Sequence, residues 1–209
     1  MLADVLGTPL LAFIGENVDD KRRNIVTRRF GSSSENVEVV PMDAGYSPQA
    51  LALSQIGQKR AALAWIDEVG TRGVWLQHLD AQGAASGMPI RLTDLVSSGT
   101  SVDMAVHEDD GGAVVYSVAV ENVNREVRFR RIDANGKFPG GEVKLIGQPL
   151  QASDASVARL GGGYVVAYRA WPGGLQASPE VRLAFITREG ATARDKAGRL
   201  ISFLVAPLH

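Results

Sequence analysis

Apolar residues in this chain come in short runs, and the runs recur at a nearly fixed interval. Four of them end in an aromatic side chain: Leu10-Leu11-Ala12-Phe13, Ala62-Leu63-Ala64-Trp65, Ala113-Val114-Val115-Tyr116 and Val165-Val166-Ala167-Tyr168. The aromatic positions lie 52, 51 and 52 residues apart. Behind each run comes a segment in which apolar and polar positions alternate, at 25–30, 74–79, 127–132 and 181–186. Val127-Arg128-Phe129-Arg130-Arg131-Ile132 has the period of two that a strand needs when one face is buried and the other wet.

The units are most alike at the reversal that ends this second segment. Leu79-Asp80-Ala81-Gln82-Gly83 and Ile132-Asp133-Ala134-Asn135-Gly136 are nearly one pentapeptide, and Thr187-Arg188-Glu189-Gly190 fills the slot in the fourth unit. Asp, Asn and Gly are what a tight reversal selects, through Asx hydrogen bonds and positive φ. A third short strand is expected after each reversal, at 37–40, 89–92, 142–146 and 199–203. One more precedes each aromatic run, at 2–6, 50–54, 102–107 and 155–160. No stretch of helical length carries the i, i+3, i+4, i+7 apolar spacing of an amphipathic helix.

The unit is thus four short strands, four times over. A lone four-stranded sheet leaves both faces in water. Stacking units around an axis covers both, with Phe13, Trp65, Tyr116 and Tyr168 filling the spaces between them. The fold predicted is all-β: a β-propeller of four four-stranded blades, each about 52 residues long, in one domain over residues 1–209. The unit boundaries fall near 1–46, 47–98, 99–151 and 152–209. A β-sandwich needs no such period, and a β-solenoid coil is shorter; these are the competing architectures. Unit one opens on its first strand and unit four ends on its last, so no closing blade built from both termini shows in the register. Four blades make the smallest ring and need strongly twisted sheets, while an unclosed arc bares apolar faces. The expectation is half of an eight-blade ring completed by a second copy, or part of a longer chain, over a self-closed monomer.

Gly162-Gly163-Tyr164-Val165-Val166-Ala167-Tyr168, continued by 181–190, and Phe129-Arg130-Arg131-Ile132-Asp133-Ala134-Asn135-Gly136 resemble a blade repeat of bacterial secreted and surface proteins. That repeat reads roughly GGFVVAW, then RRFDAQG, and recurs beside FG-GAP and RTX-type calcium-binding repeats. The likeness runs over nearly the whole chain, but what is shared is strands and turns. It implies a propeller scaffold and an extracellular or cell-surface location, with the periplasm as an alternative, and it transfers no catalytic residue. Calcium enters only through this resemblance. The FG-GAP loop is of the type DxDxDG, and the nearest approach, Asp109-Asp110-Gly111-Gly112, does not reproduce it. No other cofactor is expected. Sialidase-type propellers carry SxDxGxxW turns where this chain has 80–83 and 133–136, without the Ser or Trp.

Composition removes several chemistries. The chain has no cysteine, which excludes disulfides, thiolate metal sites and Cys nucleophiles. Lys+Arg number 22 against 23 Asp+Glu, so no net field draws nucleic acid or an anionic membrane. Arg28, Arg29, Arg128, Arg130, Arg131 and Arg182, alternating along the second segments, read as solvated sheet faces. No apolar run approaches the roughly 20 residues that span a bilayer, and the N-terminus shows no secretion signal. His78, His107 and His209 fit no zinc spacing. There is no GxSxG elbow, and Gly161-Gly162-Gly163 lacks the context of a phosphate loop. No catalytic or metal residue is assigned.

What remains is the loop after each aromatic run. Three such loops hold acids, namely Asp19, Asp67 with Glu68, and Glu121; the fourth, 169–178, holds Trp171 before Pro172-Gly173-Gly174. Equivalent loops of a propeller gather on one face, so Trp171, Asp19, Asp67, Glu68 and Glu121 are the candidate ligand-binding residues. Solvated turn acids and a Trp packed over a blade edge are the structural alternatives. The expected function is a non-enzymatic binding or adhesion module with a protein or glycan partner. A glycan-active propeller enzyme, which needs two carboxylates about 5–10 Å apart across a cleft, is one alternative. A purely structural segment of a large surface protein is the other.

Overall fold

The computed structural model describes residues 2–5, 8–30, 36–41, 47–56, 60–67, 72–94, 99–107, 111–120, 124–146, 151–172, 175–194, 196 and 202–207. The repeat becomes four antiparallel meanders, each with its strands in chain order. The first sheet holds β1 (Leu2–Val5), β2 (Thr8–Glu16), β3 (Arg23–Arg29) and β4 (Asn36–Val40). The second holds β5 (Pro48–Ile56), β6 (Arg60–Asp67), β7 (Gly73–Leu79) and β8 (Ala85–Asp94). The third holds β9 (Gly99–His107), β10 (Gly111–Val120), β11 (Asn124–Ile132) and β12 (Val143–Ile146). The fourth holds β13 (Gln151–Leu160), β14 (Gly163–Trp171), β15 (Glu180–Thr187) and β16 (Ser202–Pro207). No helix among the described residues is long and apolar enough to cross a membrane. Of the last strand expected at 199–203, residues 199–201 lie outside the described residues; the strand runs on past 203, with Leu183 pairing with Phe203 and Glu180 with Pro207.

The reversals are tight because a carboxylate caps them. Asp80 Oδ1 accepts from Gln82 N and Ala84 N at 2.9 Å each. Asp133 Oδ1 accepts from Asn135 N at 2.9 Å and Lys137 N at 2.8 Å. Gly83 and Gly136 close these turns at φ +87° and +77°, where an L side chain costs about 1–2 kcal/mol.

Strand alternation sends one set of side chains forward to the next sheet and the other set back. Leu10, Ala12 and Ile25 meet Leu53, Leu63 and Trp65 of the second sheet. Ala64, Ile66 and Leu76 meet Met104, Val114 and Tyr116 of the third. Val115 and Phe129 meet Tyr164, Val166 and Tyr168 of the fourth. Among the described residues there are three such cores for four sheets, and no strand of the fourth sheet packs on the first in this way. The aromatic positions report the same thing. Trp65 and Tyr116 are 0% exposed and Tyr168 2%, whereas Phe13, on the backward face of the first sheet, is only half-buried. The fold is a four-blade β-propeller arc.

Three of the six strand arginines, Arg29, Arg128 and Arg130, correct the sequence expectation by bridging blades, whereas Arg28 is exposed as expected and Arg182 pairs with Glu180 of its own strand. Arg128, its side chain 19% exposed, pairs with Glu126 and Glu142 and reaches Thr93 Oγ1 of the second sheet at 2.9 Å. Arg130 Nη1 donates to Leu92 O at 2.7 Å, and Arg29 donates to Ala81 O. A guanidinium suits this role because its several fixed donors can satisfy strand-end carbonyls.

His78, on β7, plays the same part: its Nε2–H donates to Gly136 O of the third blade at 3.1 Å. Burial holds its pKa below the ordinary 6.5, against the pull of that hydrogen bond, and Arg60 adds to the lowering. The folded chain therefore binds fewer protons here than the unfolded chain. The contribution is complete above about pH 6.5 and is lost as pH falls through the folded value. Urea unfolding at successive pH values should show stability dropping on acidification, with His78→Gln flattening part of the slope. An unchanged slope in that variant would reject the assignment.

Candidate functional site

β2, β6, β10 and β14 all end at the same end of the arc, and contacts between neighbouring sheets fix this. Arg23, first in β3, binds Glu16 at 2.8 Å and crosses to Gln49 Oε1 of β5 at 2.5 Å. Ile66, near the end of β6, lies so close to Gly99 that a Cβ there would meet it at 2.7 Å, and Gly99 pairs with Val118 of β10. Arg125 N of β11 donates to Gln151 Oε1 of β13 at 2.5 Å, and Gln151 pairs with Trp171. One continuous rim results.

The candidate residues take different stations on it. Asp19 is exposed in a turn held by Asn17 Oδ1, which accepts from Asp19 N at 2.9 Å. Asp67 is fully buried, and its Oδ1 accepts from Ser47 N at 2.8 Å, tying down the entry to β5. Trp171 is 8% exposed. Two guanidiniums cover its indole, Arg125 at 5.9 Å and Arg169 at 5.1 Å from the ring centroid. Glu68 and Glu121 lie outside the described residues. Asp19, Asp67 and Trp171 thus share one end of the arc, with only Asp19 on display.

Arg169 is in turn ion-paired with Asp154. Asp154 holds φ +52° where β13 bulges between Ser153 and Ser156. Arg125, Gln151, Asp154 and Arg169 are not among the candidates that the sequence offers. Arg169-Ala170-Trp171 carries a signal for one of them, since residues i and i+2 of a strand share a face. Arg125 comes from the neighbouring blade, and only the three-dimensional stacking of units brings it over the indole.

Two carboxyls at this end, Glu16 and Asp20, are held in their charged form. The hydrogen bond from Arg23 holds the Glu16 carboxyl below its ordinary range, and hydrogen bonds from the Arg22 backbone and side chain do the same for Asp20. No three His, Asp or Glu side chains among the described residues converge as a metal site.

No protein-family model matches the chain, and no curated protein sequence does. Its backbone is similar to solved β-propeller-like structures. One is a subtype N11 neuraminidase-like protein of A/flat-faced bat/Peru/033/2010 (H18N11), with a TM-score of 0.59 at 9% identity over 92% of this chain and 50% of that one. A neuraminidase-like protein from A/bat/Guatemala/164/2009 gives 0.60 at 10% identity, over 92% of this chain and 52% of that one. A thermostable family-43 glycoside hydrolase gives 0.53 at 12% identity, over 94% of this chain and 74% of that one. The chain spans about half the length of the neuraminidase-like chains. These likenesses establish the class, a β-propeller fold.

Proposed function

We propose that the chain is a non-enzymatic binding module of a secreted or cell-surface protein, contacting an acidic glycan with the rim that carries Arg125, Trp171 and Arg169. The stack itself supports this reading. Arg169 is committed to Asp154, but no described carboxylate pairs with Arg125, which lies over the indole at 5.9 Å. A cation–π contact orients a guanidinium without neutralising it, leaving Arg125 to meet an anionic group on a partner. Glu16 and Asp20 are held as anions by their arginines, whereas a general acid for glycosidic chemistry needs the opposite shift. The glycan is favoured because the solved neighbours include a family-43 glycoside hydrolase, which also supports the second reading, a glycan-active enzyme.

A glycan array probed with the recombinant chain tests this. Binding is expected to members bearing carboxylate or sulfate groups, weakened about tenfold by Arg125→Ala with the β-sheet circular dichroism unchanged. A blank array sinks the proposal. Release of reducing sugar from a bound glycan would replace it with the second reading.

A further inference from the structure

We propose that the forward face of the fourth blade seats the first blade of a second copy of this chain, the two copies closing head to tail. This is independent of what the rim binds. Strand pairing puts the blades in register: Leu10 with Arg29, Ala62 with His78, Ala113 with Arg131, Val165 with Phe185. Two residues on, Ala12, Ala64, Val115 and Ala167 are equivalent and face Thr27, Leu76, Phe129 and Leu183. In the first three blades Leu10 is 1% exposed, and Ala62, Ala113, Ala12, Ala64, Val115, Thr27, Leu76 and Phe129 are 0% exposed. In the fourth, Val165, Ala167, Leu183 and Phe185 are all partly exposed. Phe203 extends this face at 54% exposure, its ring meeting Phe185 edge-on at 5.6 Å. At the other end of the arc Leu11 and Phe13 are partly exposed, although their counterparts Leu63, Trp65, Val114, Tyr116, Val166 and Tyr168 are all buried. The arc therefore bares one forward and one backward face, the two halves of a junction it already makes three times.

An apolar face does not name its occupant; the turns do. Two internal junctions are latched by a hydrogen bond at the end away from the rim, and at the third an arginine sits in the same place. Arg29 donates to Ala81 O and His78 to Gly136 O. Arg131 lies beside the Gly190 turn. The latch needs a donor on one blade and a reversal ending in glycine on the next. At the donor position the fourth blade has Phe185, and at the turn position the first blade has Gly31-Ser32-Ser33-Ser34, with neither a leading Asp or Thr nor a closing Gly. The sequence thus lacks the residues for both halves, and these positions meet only where blade four is followed by blade one. An ordinary blade after the fourth would bring a turn with no donor to receive it. An ordinary blade before the first would bring a donor with no turn. The fourth sheet instead offers an open hollow of about 450 Å³ at this end, lined by Leu160, Gly163, Phe185 and Thr187 among others. Because the two bare faces differ, the contact is heterologous, and two such contacts close a pair.

Sedimentation at micromolar concentration should give a species of twice the 22.3 kDa chain mass. Phe185→Glu and Phe13→Glu, at opposite ends, should each give monomers with unchanged circular dichroism. Mixing the two should restore pairs, since one junction is then intact. The chain's lack of cysteine allows a second test that leaves both faces nearly native. Leu11→Cys and Val165→Cys on separate copies should form a disulfide-linked dimer, as their internal counterparts Leu63 and Leu10 share one core. A wild-type monomer, or an intrachain disulfide in the double variant, overturns the proposal. So does failure of the mixed glutamate variants to pair, or a ladder of larger oligomers.

Discussion

Trp65→Ala should lower the free energy of unfolding by about 3–5 kcal/mol, the usual cost of emptying a buried aromatic site. The indole is 0% exposed, stacked on Trp75 with ring centroids 6.4 Å apart and planes 17° apart, and it is the largest fully buried side chain in the core that joins the first two blades. Losing it removes contacts on both sides of that junction, and the flanking strands cannot collapse into the space without giving up their ladders. Phe13 occupies the same repeat position and is only half-buried, so Phe13→Ala should cost about 1 kcal/mol, in keeping with the smaller area it hides. Both belong in a Phe185→Glu background, which keeps the chain monomeric and leaves Phe13 uncovered. Urea denaturation followed by circular dichroism gives the two numbers. Equal costs at the two positions would mean that something covers Phe13 as Trp65 is covered, and the open arc would be wrong.

The contrast between Phe13 and Trp65 marks how far the sequence could be read. Four aromatic positions at a common interval, with a turn closing on Gly in phase in three of the units, are enough to specify four meanders, because strand period and turn chemistry are local. What covers each aromatic is not local, and the sequence makes Phe13 look like its three counterparts. Arg29, Arg128 and Arg130 mislead for a related reason. An Arg alternating with apolar residues reads the same whether it faces water or a carbonyl of the next blade. The far end of the last strand is not legible because 200–206 is one nearly unbroken apolar run with no alternation to set a register; the bulge between Val181 and Arg182 carries the pairing on to Pro207. The candidate site was half legible. Asp19, Asp67 and Trp171 belong to equivalent connections, and the structure gathers them at one end. Whether Asp67 faces water or ties down Ser47, and which arginines cover Trp171, depends on residues from other strands.

Gly136→Ala should cost about 2–3 kcal/mol, and the cost should arise at the blade junction. At φ +77° a Cβ at this position would lie 2.4 Å from His78 Cε1 and 2.6 Å from Nε2. The substitution therefore combines backbone strain of about 1–2 kcal/mol with loss of the His78 hydrogen bond, worth about 1 kcal/mol. Gly140 provides the control: its φ is +81°, yet nothing lies within 4 Å of a Cβ there. Gly140→Ala should show the backbone part alone. In a His78→Ala background the imidazole is gone, so Gly136→Ala should fall to the Gly140 value, an interaction of about 1 kcal/mol in a double-mutant cycle. The acid-side slope assigned to His78 should flatten in Gly136→Ala as well, since displacing the ring from its pocket returns it toward water. If Gly136→Ala costs no more than Gly140→Ala, the turns merely touch the preceding blade, and the latch contributes nothing to holding the arc together.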